Sequence, residues 1–196
     1  MGDALERLRT SLANAPVIWK GDYPYFIHPI TDGVPRLDPE VLKAVTDLSE
    51  AAIDWSGIDL ILGIEAMGLP LTAPLSVRTG VPLVIGRKRS YGLEGEVVID
   101  QATGYSKQPM YLNDISPGER LAIVDDVLST GGTLRAVIEG VRATGATVAH
   151  ILVVVEKGPG LKQLQRDYPE INIDSLVRLE MDGADVVLLD DEPAGA

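Results

Sequence analysis

Apolar runs that alternate with helix-length amphipathic patterns constrain the fold of this chain most strongly. Four runs are continuous enough for buried strands, at residues 59–64, 81–86, 120–125 and 147–156. Helical periodicity occurs between them, at residues 39–54, 70–79 and 132–144. Strands that alternate with helices predict right-handed crossovers and a parallel sheet with helices on both faces. We therefore expect an α/β fold built on an open parallel sheet.

Two segments depart from this alternation. Residues 15–36 are rich in proline, glycine and aromatic side chains, which predicts an irregular N-terminal lobe. Residues 87–118 connect two core strands over a span far longer than the usual connection of about 2–6 residues. This length predicts a flexible flap with a functional role. The whole chain has 196 residues, which suits one well-filled domain, so we expect residues 1–196 to form a single domain.

The composition limits the possible chemistry and location. Hydrophobic residues make up 45% of the chain, which predicts a folded core. The chain has no cysteine, which excludes disulfides, a thiol nucleophile and thiolate metal sites. No apolar run approaches the ~20 residues needed to cross a bilayer, and the N-terminus lacks the apolar region of a secretory signal. We expect a cytoplasmic protein with no membrane partner.

The charge balance argues against a nucleic-acid partner. Asp and Glu number 29 against 17 Lys and Arg, giving a net charge of −12. Such a surface repels phosphates, because binding by counterion release needs clustered cations. An acidic, lysine-poor surface suits a high-salt cytoplasm, where screening relieves self-repulsion. We therefore expect a halophilic protein.

The segment "LAIVDDVLSTGGTL", residues 121–134, carries the strongest functional signal. In an open parallel sheet, ligands bind beyond the carboxyl ends of the strands. Asp125 and Asp126 are therefore expected at the mouth of a site and not in the core. Adjacent carboxylates accept hydrogen bonds from a vicinal diol such as that of ribose. They also interact with a hard cation, for Mg²⁺ usually through its waters.

The second half of this segment predicts a phosphate site. Its hydroxyls and glycines are Ser129, Thr130, Gly131, Gly132 and Thr133. Glycines let the backbone approach closely, so that N–H groups at a helix start can bind a phosphate. The pattern matches neither the P-loop nor the dinucleotide fingerprint. Two acids or "TGGT" alone would indicate only a turn or a helix start, but the combination indicates a ribose 5-phosphate.

At this segment the chain resembles the type I phosphoribosyltransferases, in their signature for phosphoribosyl diphosphate (PRPP). The resemblance extends from residue 15 to residue 189. "GIEAMGLP" is similar to the pyrophosphate loop of the adenine and xanthine branches, and "IGRKRSYGLEGE" and "GYSK" resemble the flexible loop of the adenine enzymes. "VVVEKGPG" resembles a base-facing segment of the 6-oxopurine enzymes. The chain is most similar to the archaeal hypoxanthine/guanine group.

The resemblance implies a fold and a reaction. The fold is the type I phosphoribosyltransferase fold, with a small N-terminal hood at residues 15–36 and the flexible flap. The reaction transfers the 5-phosphoribosyl group from PRPP to N9 of hypoxanthine or guanine, giving IMP or GMP and pyrophosphate. Mg²⁺ is the implied cofactor, carried by PRPP without a direct protein ligand. The implied partners are PRPP, a purine base and a second copy of the chain in a homodimer.

The resemblance also implies roles for individual residues. The catalytic residues are Asp125, Asp126, Tyr105 and Lys107, the last two closing over the site on the flap and excluding water. The 5′-phosphate is bound by Ser129, Thr130, Gly131, Gly132 and Thr133. Pyrophosphate is bound by Glu65, Ala66, Met67, Gly68, Arg87 and Lys88. The base is bound by Lys157, Phe26, Ile27 and Val127, with Tyr25 as a further apolar wall.

Lys157 bears on the identity of the base. An ammonium group only donates hydrogen bonds. It suits the O6 acceptor of hypoxanthine, guanine or xanthine and opposes the amino group of adenine. Such a mismatch costs about 1–3 kcal/mol, which predicts selectivity for 6-oxopurines.

Two departures from the adenine enzymes keep other functions open. Met67 stands where their pyrophosphate loop has an arginine, and Gly104 replaces the acid that precedes the flap tyrosine. Glu94 and Glu96 are then the nearby candidates for acid–base assistance. One alternative is an adenine or xanthine phosphoribosyltransferase. Another is a non-catalytic regulator that senses PRPP or a nucleotide, although the chain has no basic nucleic-acid face. His28 and His150 are predicted to have structural roles.

Overall fold

The computed structural model describes residues 2–100 and 109–190. The helices are α1 (Gly2–Ala13), α2 (Pro29–Asp32), α3 (Pro39–Ala52), α4 (Gly68–Thr79), α5 (Gly132–Ala143) and α6 (Gly160–Asp167). The strands are β1 (Val17–Lys20), β2 (Tyr23–Phe26), β3 (Leu60–Ile64), β4 (Leu83–Gly86), β5 (Val97–Ile99), β6 (Met110–Leu112), β7 (Arg120–Leu128), β8 (Thr147–Glu156), β9 (Asn172–Asp182) and β10 (Asp185–Leu189). Among these residues, no helix is long and apolar enough to cross a membrane.

A six-stranded sheet in the order β10-β9-β8-β7-β3-β4 forms the centre of the fold. All neighbouring strands are parallel except β10, which runs antiparallel to β9. Helices α5 and α6 pack on one face, and α1, α3 and α4 pack on the other. The side chains of β7 point alternately to the two faces of the sheet. Ile123 packs in the cluster on the α5 side, while Ala122 and Val124 pack in the cluster on the α3 side. The predicted α/β fold with a parallel sheet is confirmed.

The predicted end of β7 is wrong by three residues. We expected this strand to end at Asp125, but it continues to Leu128. The neighbour β8 extends just as far, and Val127 pairs with Val155. On the other side, β3 makes its last pair between Gly63 and Val124. The two acids therefore lie inside a strand that has lost its partner on one side, which opens a space beside them.

The hood is more regular than its composition suggests. Strands β1 and β2 form an antiparallel hairpin in which Lys20 pairs with Tyr23. Gly21 has φ +64°, the left-handed conformation that a two-residue hairpin turn favours. The expectation of an irregular lobe is therefore wrong for this part of residues 15–36. Phe26 and Ile30 anchor the hood in the cluster on the α3 side of the sheet.

The described part of the flap segment contains regular structure. Strands β5 and β6 form a two-stranded antiparallel ribbon, and Arg87 bridges to Tyr111 beside it. The ribbon packs on α5 at Gly140, where an added Cβ would lie only 2.5 Å from Ile99. The predicted flap residues Tyr105 and Lys107 lie outside the described residues.

Candidate active site

A cavity of about 440 Å³ opens at the carboxyl ends of β3 and β7. Its walls come from the loop between β3 and α4, the end of β7, and the loop that leads into α5. Thr31 of the hood, Lys88 and Met110 complete the lining. The carboxyl edge of the sheet therefore forms the site, as parallel α/β sheets generally provide.

The adjacent carboxylates both line this cavity, but Asp125 is more deeply placed than predicted. Its residue exposure is only 8%, because β7 continues past it. Burial, followed by the charge of Asp126, raises the pKa of Asp125 well above its usual range. Burial likewise raises the pKa of Asp126 to about 6, and the charge of Asp32 adds to this effect. The site therefore favours ligands that donate hydrogen bonds or bring positive charge.

The loop after β3 fits closely against these acids. Gly68 begins α4, and an added Cβ there would lie 3.2 Å from the Val124 carbonyl oxygen and 3.3 Å from Asp125 Oδ1. Any larger residue would have to displace β7 or the carboxylate. The Glu65–Ala66 peptide in this loop is cis. Glu65, Ala66 and Met67 all line the cavity beside the acids.

The predicted phosphate loop follows β7 directly. Gly131 has φ +80° as it enters α5, whose first turn has no side-chain cap. Ser129 O accepts a hydrogen bond from Gly160 N at 2.9 Å, which ties the loop to α6. The residues from Ser129 to Thr133 all line the cavity, so the uncapped start of α5 faces the space beside the acids. Such an arrangement suits an anion.

The two predicted cations have different positions. Lys88 lines the cavity, and its charge acts to lower the pKa of Asp125 against the larger effect of burial. The Arg87 side chain is not part of the lining. Its Nε lies 3.0 Å from Glu65 Oε2, and the same oxygen accepts a hydrogen bond from Lys88 N at 3.1 Å. Glu65 therefore holds Arg87 and the Lys88 backbone together at the end of β4.

Met67 connects the pyrophosphate loop to the hood. The position that a Cβ of Gly33 would occupy lies 3.2 Å from Met67 Sδ. Gly33 ends α2 with φ +71°. The side chain that replaces the arginine of the adenine enzymes thus lies close to Gly33 of the hood and supplies no cation.

The residues predicted to bind the base do not all lie in one place. Lys157 Nζ lies 4.6 Å from the centre of the Tyr23 ring and 5.4 Å from that of Phe26. Val127 instead lines the main cavity. Ile27 is half-buried, and its N–H donates to Pro16 O at 2.8 Å. Tyr23 was not among the predicted site residues, and only its place in an aromatic segment hinted at a role.

Of the two neighbouring acids, Glu96 has structural partners. Glu96 accepts hydrogen bonds from the Ser90 hydroxyl, Tyr91 N and Asn113 Nδ2. These donors, Ser90 first, lower the pKa of Glu96, which does not suit a general acid. Glu94 is exposed.

The histidines agree with their predicted structural roles. His28 is 1% exposed and caps α2 by accepting from Ile30 N at 3.1 Å. Its Nε2 lies 2.8 Å from the hydroxyl of Ser11. His150 is buried in β8, with Nε2 3.2 Å from Asp174 Oδ2.

The chain belongs to the phosphoribosyltransferase family. Residues 37–184 match the family model described as "Phosphoribosyl transferase domain". The hypoxanthine/guanine phosphoribosyltransferase of Aciduliprofundum boonei is 46% identical over 186 residues, which cover 95% of this chain and all of that protein. That of Methanobrevibacter ruminantium is 48% identical over 183 residues, covering 93% of this chain and 97% of that protein.

A solved structure shares the fold. The crystal structure of adenine phosphoribosyltransferase from Thermoanaerobacter pseudethanolicus superposes with a TM-score of 0.73 at 26% identity. The match covers 89% of this chain and 99% of that one. The type I phosphoribosyltransferase fold expected from the sequence is confirmed.

Proposed function

We propose that this enzyme transfers the 5-phosphoribosyl group of PRPP to N9 of hypoxanthine or guanine. The products are IMP or GMP and pyrophosphate. The observation that carries this proposal is one cavity in which the buried Asp125 and the half-buried Asp126 lie between a glycine-containing loop and the uncapped start of α5. The names of the relatives from A. boonei and M. ruminantium support the same base class.

In the proposed complex, each part of PRPP binds to a different set of cavity residues. The 5′-phosphate binds the residues from Ser129 to Thr133. The ribose hydroxyls donate to Asp125 and Asp126, and the diphosphate binds the amides of the β3–α4 loop and the Lys88 ammonium. As the C1–O bond breaks, its electron pair leaves on pyrophosphate and N9 of the base bonds to C1, releasing its proton. The two carboxylates stabilise the positive charge that develops on the ribose.

Asp125 and Asp126 could bind a cation carried by the substrate, through the waters of that cation. The described residues contain no cluster of three or more His, Asp or Glu side chains that could hold a metal by themselves. Burial, with a smaller contribution from the charge of Asp32, raises the pKa of Asp126 to about 6, and a cation with its waters would offset the cost of charging this carboxylate. When bound through PRPP, Mg²⁺ neutralises the diphosphate leaving group.

Lys157 supports the choice of a 6-oxopurine. Its ammonium lies against the hood ring of Tyr23, at the carboxyl end of β8. From there it would donate to O6 of the base, with Phe26, Ile27 and Tyr25 as walls. Tyr105 and Lys107 would cover the site and exclude water.

Further aspects of the proposal concern the whole molecule. The hood shares a hydrophobic cluster with the sheet, which supports a single domain over residues 1–196. We also propose a homodimer in the cytoplasm. The net charge of −12 supports a protein adapted to high salt.

A competition experiment tests the proposed activity. PRPP and Mg²⁺ would be incubated with equal concentrations of adenine, hypoxanthine, guanine and xanthine, and the nucleotides separated by chromatography. The proposal expects IMP and GMP. AMP or XMP as the main product would favour the adenine or xanthine alternative. Binding of PRPP without any nucleotide would favour a sensor, which Met67 in place of a cation also suits.

A further inference from the structure

Thr31 is a cavity residue that the proposed reaction has not yet used. It lies at the end of the hood, in α2, and lines the same cavity as Asp125 and Asp126. No other hood residue lines this cavity among those described. The question is which hydrogen-bonding role its hydroxyl has there.

The hydrogen bonds within the hood fix the direction of the Thr31 hydroxyl. Thr31 Oγ1 lies 2.6 Å from Asp32 Oδ2 and 3.3 Å from His28 O. Both neighbours are acceptors, so the single hydroxyl proton of Thr31 is directed into the hood. Asp32 is itself held by Tyr25 OH at 2.6 Å and by His28 N at 3.1 Å. The oxygen of Thr31 is therefore left with lone pairs only for a ligand.

A ligand group that meets this oxygen must be a donor. The phosphate oxygens of PRPP are acceptors, so its only donors under the conditions of the reaction are the 2′- and 3′-hydroxyls of ribose. Of the residues expected at the base, Lys157 and Phe26 do not line the cavity that contains Thr31, whereas Val127 lines it next to Asp126. The charge of Asp32 also acts on Asp126, which indicates that the hood acid is close to the carboxylate pair.

We propose that Thr31 accepts a hydrogen bond from a ribose hydroxyl, as a third acceptor beside Asp125 and Asp126. Asp32 is a positioning residue that keeps the Thr31 proton away from the ligand. This inference rests on the proposed function. It means that the hood contacts both parts of the product, the base through Tyr25 and Phe26 of β2 and the ribose through Thr31 of α2.

Binding of three nucleotides tests the contact. IMP, 2′-deoxy-IMP and 3′-deoxy-IMP would be titrated by calorimetry into the wild type, Thr31→Val and Thr31→Ser. Valine keeps the shape and removes the acceptor, whereas serine keeps the hydroxyl. We expect Thr31→Val to raise the Kd of IMP by about 3- to 10-fold. The Kd of the deoxynucleotide that lacks the hydroxyl bound by Thr31 should be the same for Thr31→Val and for the wild type. Thr31→Ser should bind IMP within about twofold of the wild type.

The role of Asp32 has its own readout. Asp32→Asn should weaken the binding of IMP more in the presence of Thr31 than in the Thr31→Val background, where only its effects through Asp126 and Tyr25 remain. Equal weakening of all three nucleotides by Thr31→Val, or none, would overturn the inference. Failure of the wild type to bind IMP would instead contradict the proposed function. Thermal melting of each variant shows whether it is folded.

Discussion

The ammonium nitrogen of Lys157 lies 4.6 Å from the centre of the Tyr23 ring. This contact joins the end of β8 to the hood hairpin and holds the only lysine predicted to contact the base. An aromatic face attracts a cation, so the ring limits the directions in which Lys157 can point. The geometry leads to two predictions about the choice of base.

The first prediction concerns Lys157 itself. Lys157→Met removes the donor and keeps the length of the side chain. The ratio of kcat/KM for hypoxanthine to that for adenine should fall by about 10- to 100-fold, because the O6 acceptor loses its partner. Lys157→Arg, which still donates, is the control and should keep most of the preference. An unchanged ratio in Lys157→Met would show that this lysine does not donate a hydrogen bond to O6 of the base.

The second prediction concerns Tyr23. Tyr23→Leu removes the aromatic face and should raise KM for hypoxanthine by about 2- to 5-fold, the effect of one exposed cation–π contact. Tyr23 is 46% exposed, so folding should be little affected. Tyr23→Phe keeps the ring and should behave as the wild type. An effect of Tyr23→Leu on KM for PRPP alone would contradict this assignment.

The carboxylate pair predicts a trade-off between stability and activity. The folded pKa of Asp126, about 6, lies above its ordinary 3.8. The stability gained from protonation is thus present below pH 3.8 and is lost as pH rises through about 6. Asp125→Asn removes one buried charge and should raise the free energy of unfolding by about 1–3 kcal/mol at pH 8, with less gain at pH 5. Turnover should fall at least about tenfold.

Urea unfolding and steady-state kinetics measure these two effects. Asp185→Asn, at an exposed position in β10, changes the net charge equally and serves as the control. Equal or lower stability of Asp125→Asn at pH 8 would show that the pair carries no repulsion in the free protein.

His28 predicts a loss of stability in acid. Burial lowers its folded pKa from 6.5 to about 4, so the unfolded chain binds a proton that the folded chain does not. The contribution of His28 is complete above pH 6.5 and is lost as pH falls toward 4. His28→Asn keeps a side-chain acceptor for the α2 cap and cannot titrate. The stability difference between wild type and His28→Asn should shrink by about 2–3 kcal/mol from pH 7 to pH 4.5, and a difference independent of pH would refute this.

Gly160 predicts an effect transmitted to the phosphate loop. An added Cβ would lie 2.4 Å from Ser129 O and 3.0 Å from Gly131 N. Gly160→Ala should therefore displace the loop and raise KM for PRPP about tenfold or more, with a smaller effect on KM for the base. Gly2→Ala is the control, because nothing lies within 4 Å of that position. Equal effects on both substrates would point to general unfolding.

The fold could be predicted where apolar runs were continuous. Strand β8 has the predicted bounds Thr147–Glu156, because its residues are almost all apolar and buried. Strand β7 was predicted too short because the polarity of the acids looks like a strand end. The continued pairing of Val127 with Val155 is a tertiary effect. The hairpin of the hood was missed because Pro24 and Gly21 suggest irregular structure.

The site could be predicted in part. The segment from Asp125 to Thr133 is local in sequence, so its spacing alone indicated that these residues line one site. The contact of Lys157 with Tyr23 and that of Met67 with Gly33 join distant parts of the chain. No periodicity predicts such pairs. The burial of Asp125 and the orientation of the Thr31 hydroxyl likewise depend on packing that only the folded chain defines.

The most direct test of the account is pyrophosphate release from PRPP and Mg²⁺ with each of the four bases separately. Adenine, hypoxanthine, guanine and xanthine would be compared by kcat/KM, in both dilute and multimolar KCl. The account predicts turnover with hypoxanthine and guanine, no turnover with adenine, and activity that persists at high salt. Turnover with adenine alone, or none with any base by a folded protein that binds PRPP, would contradict it.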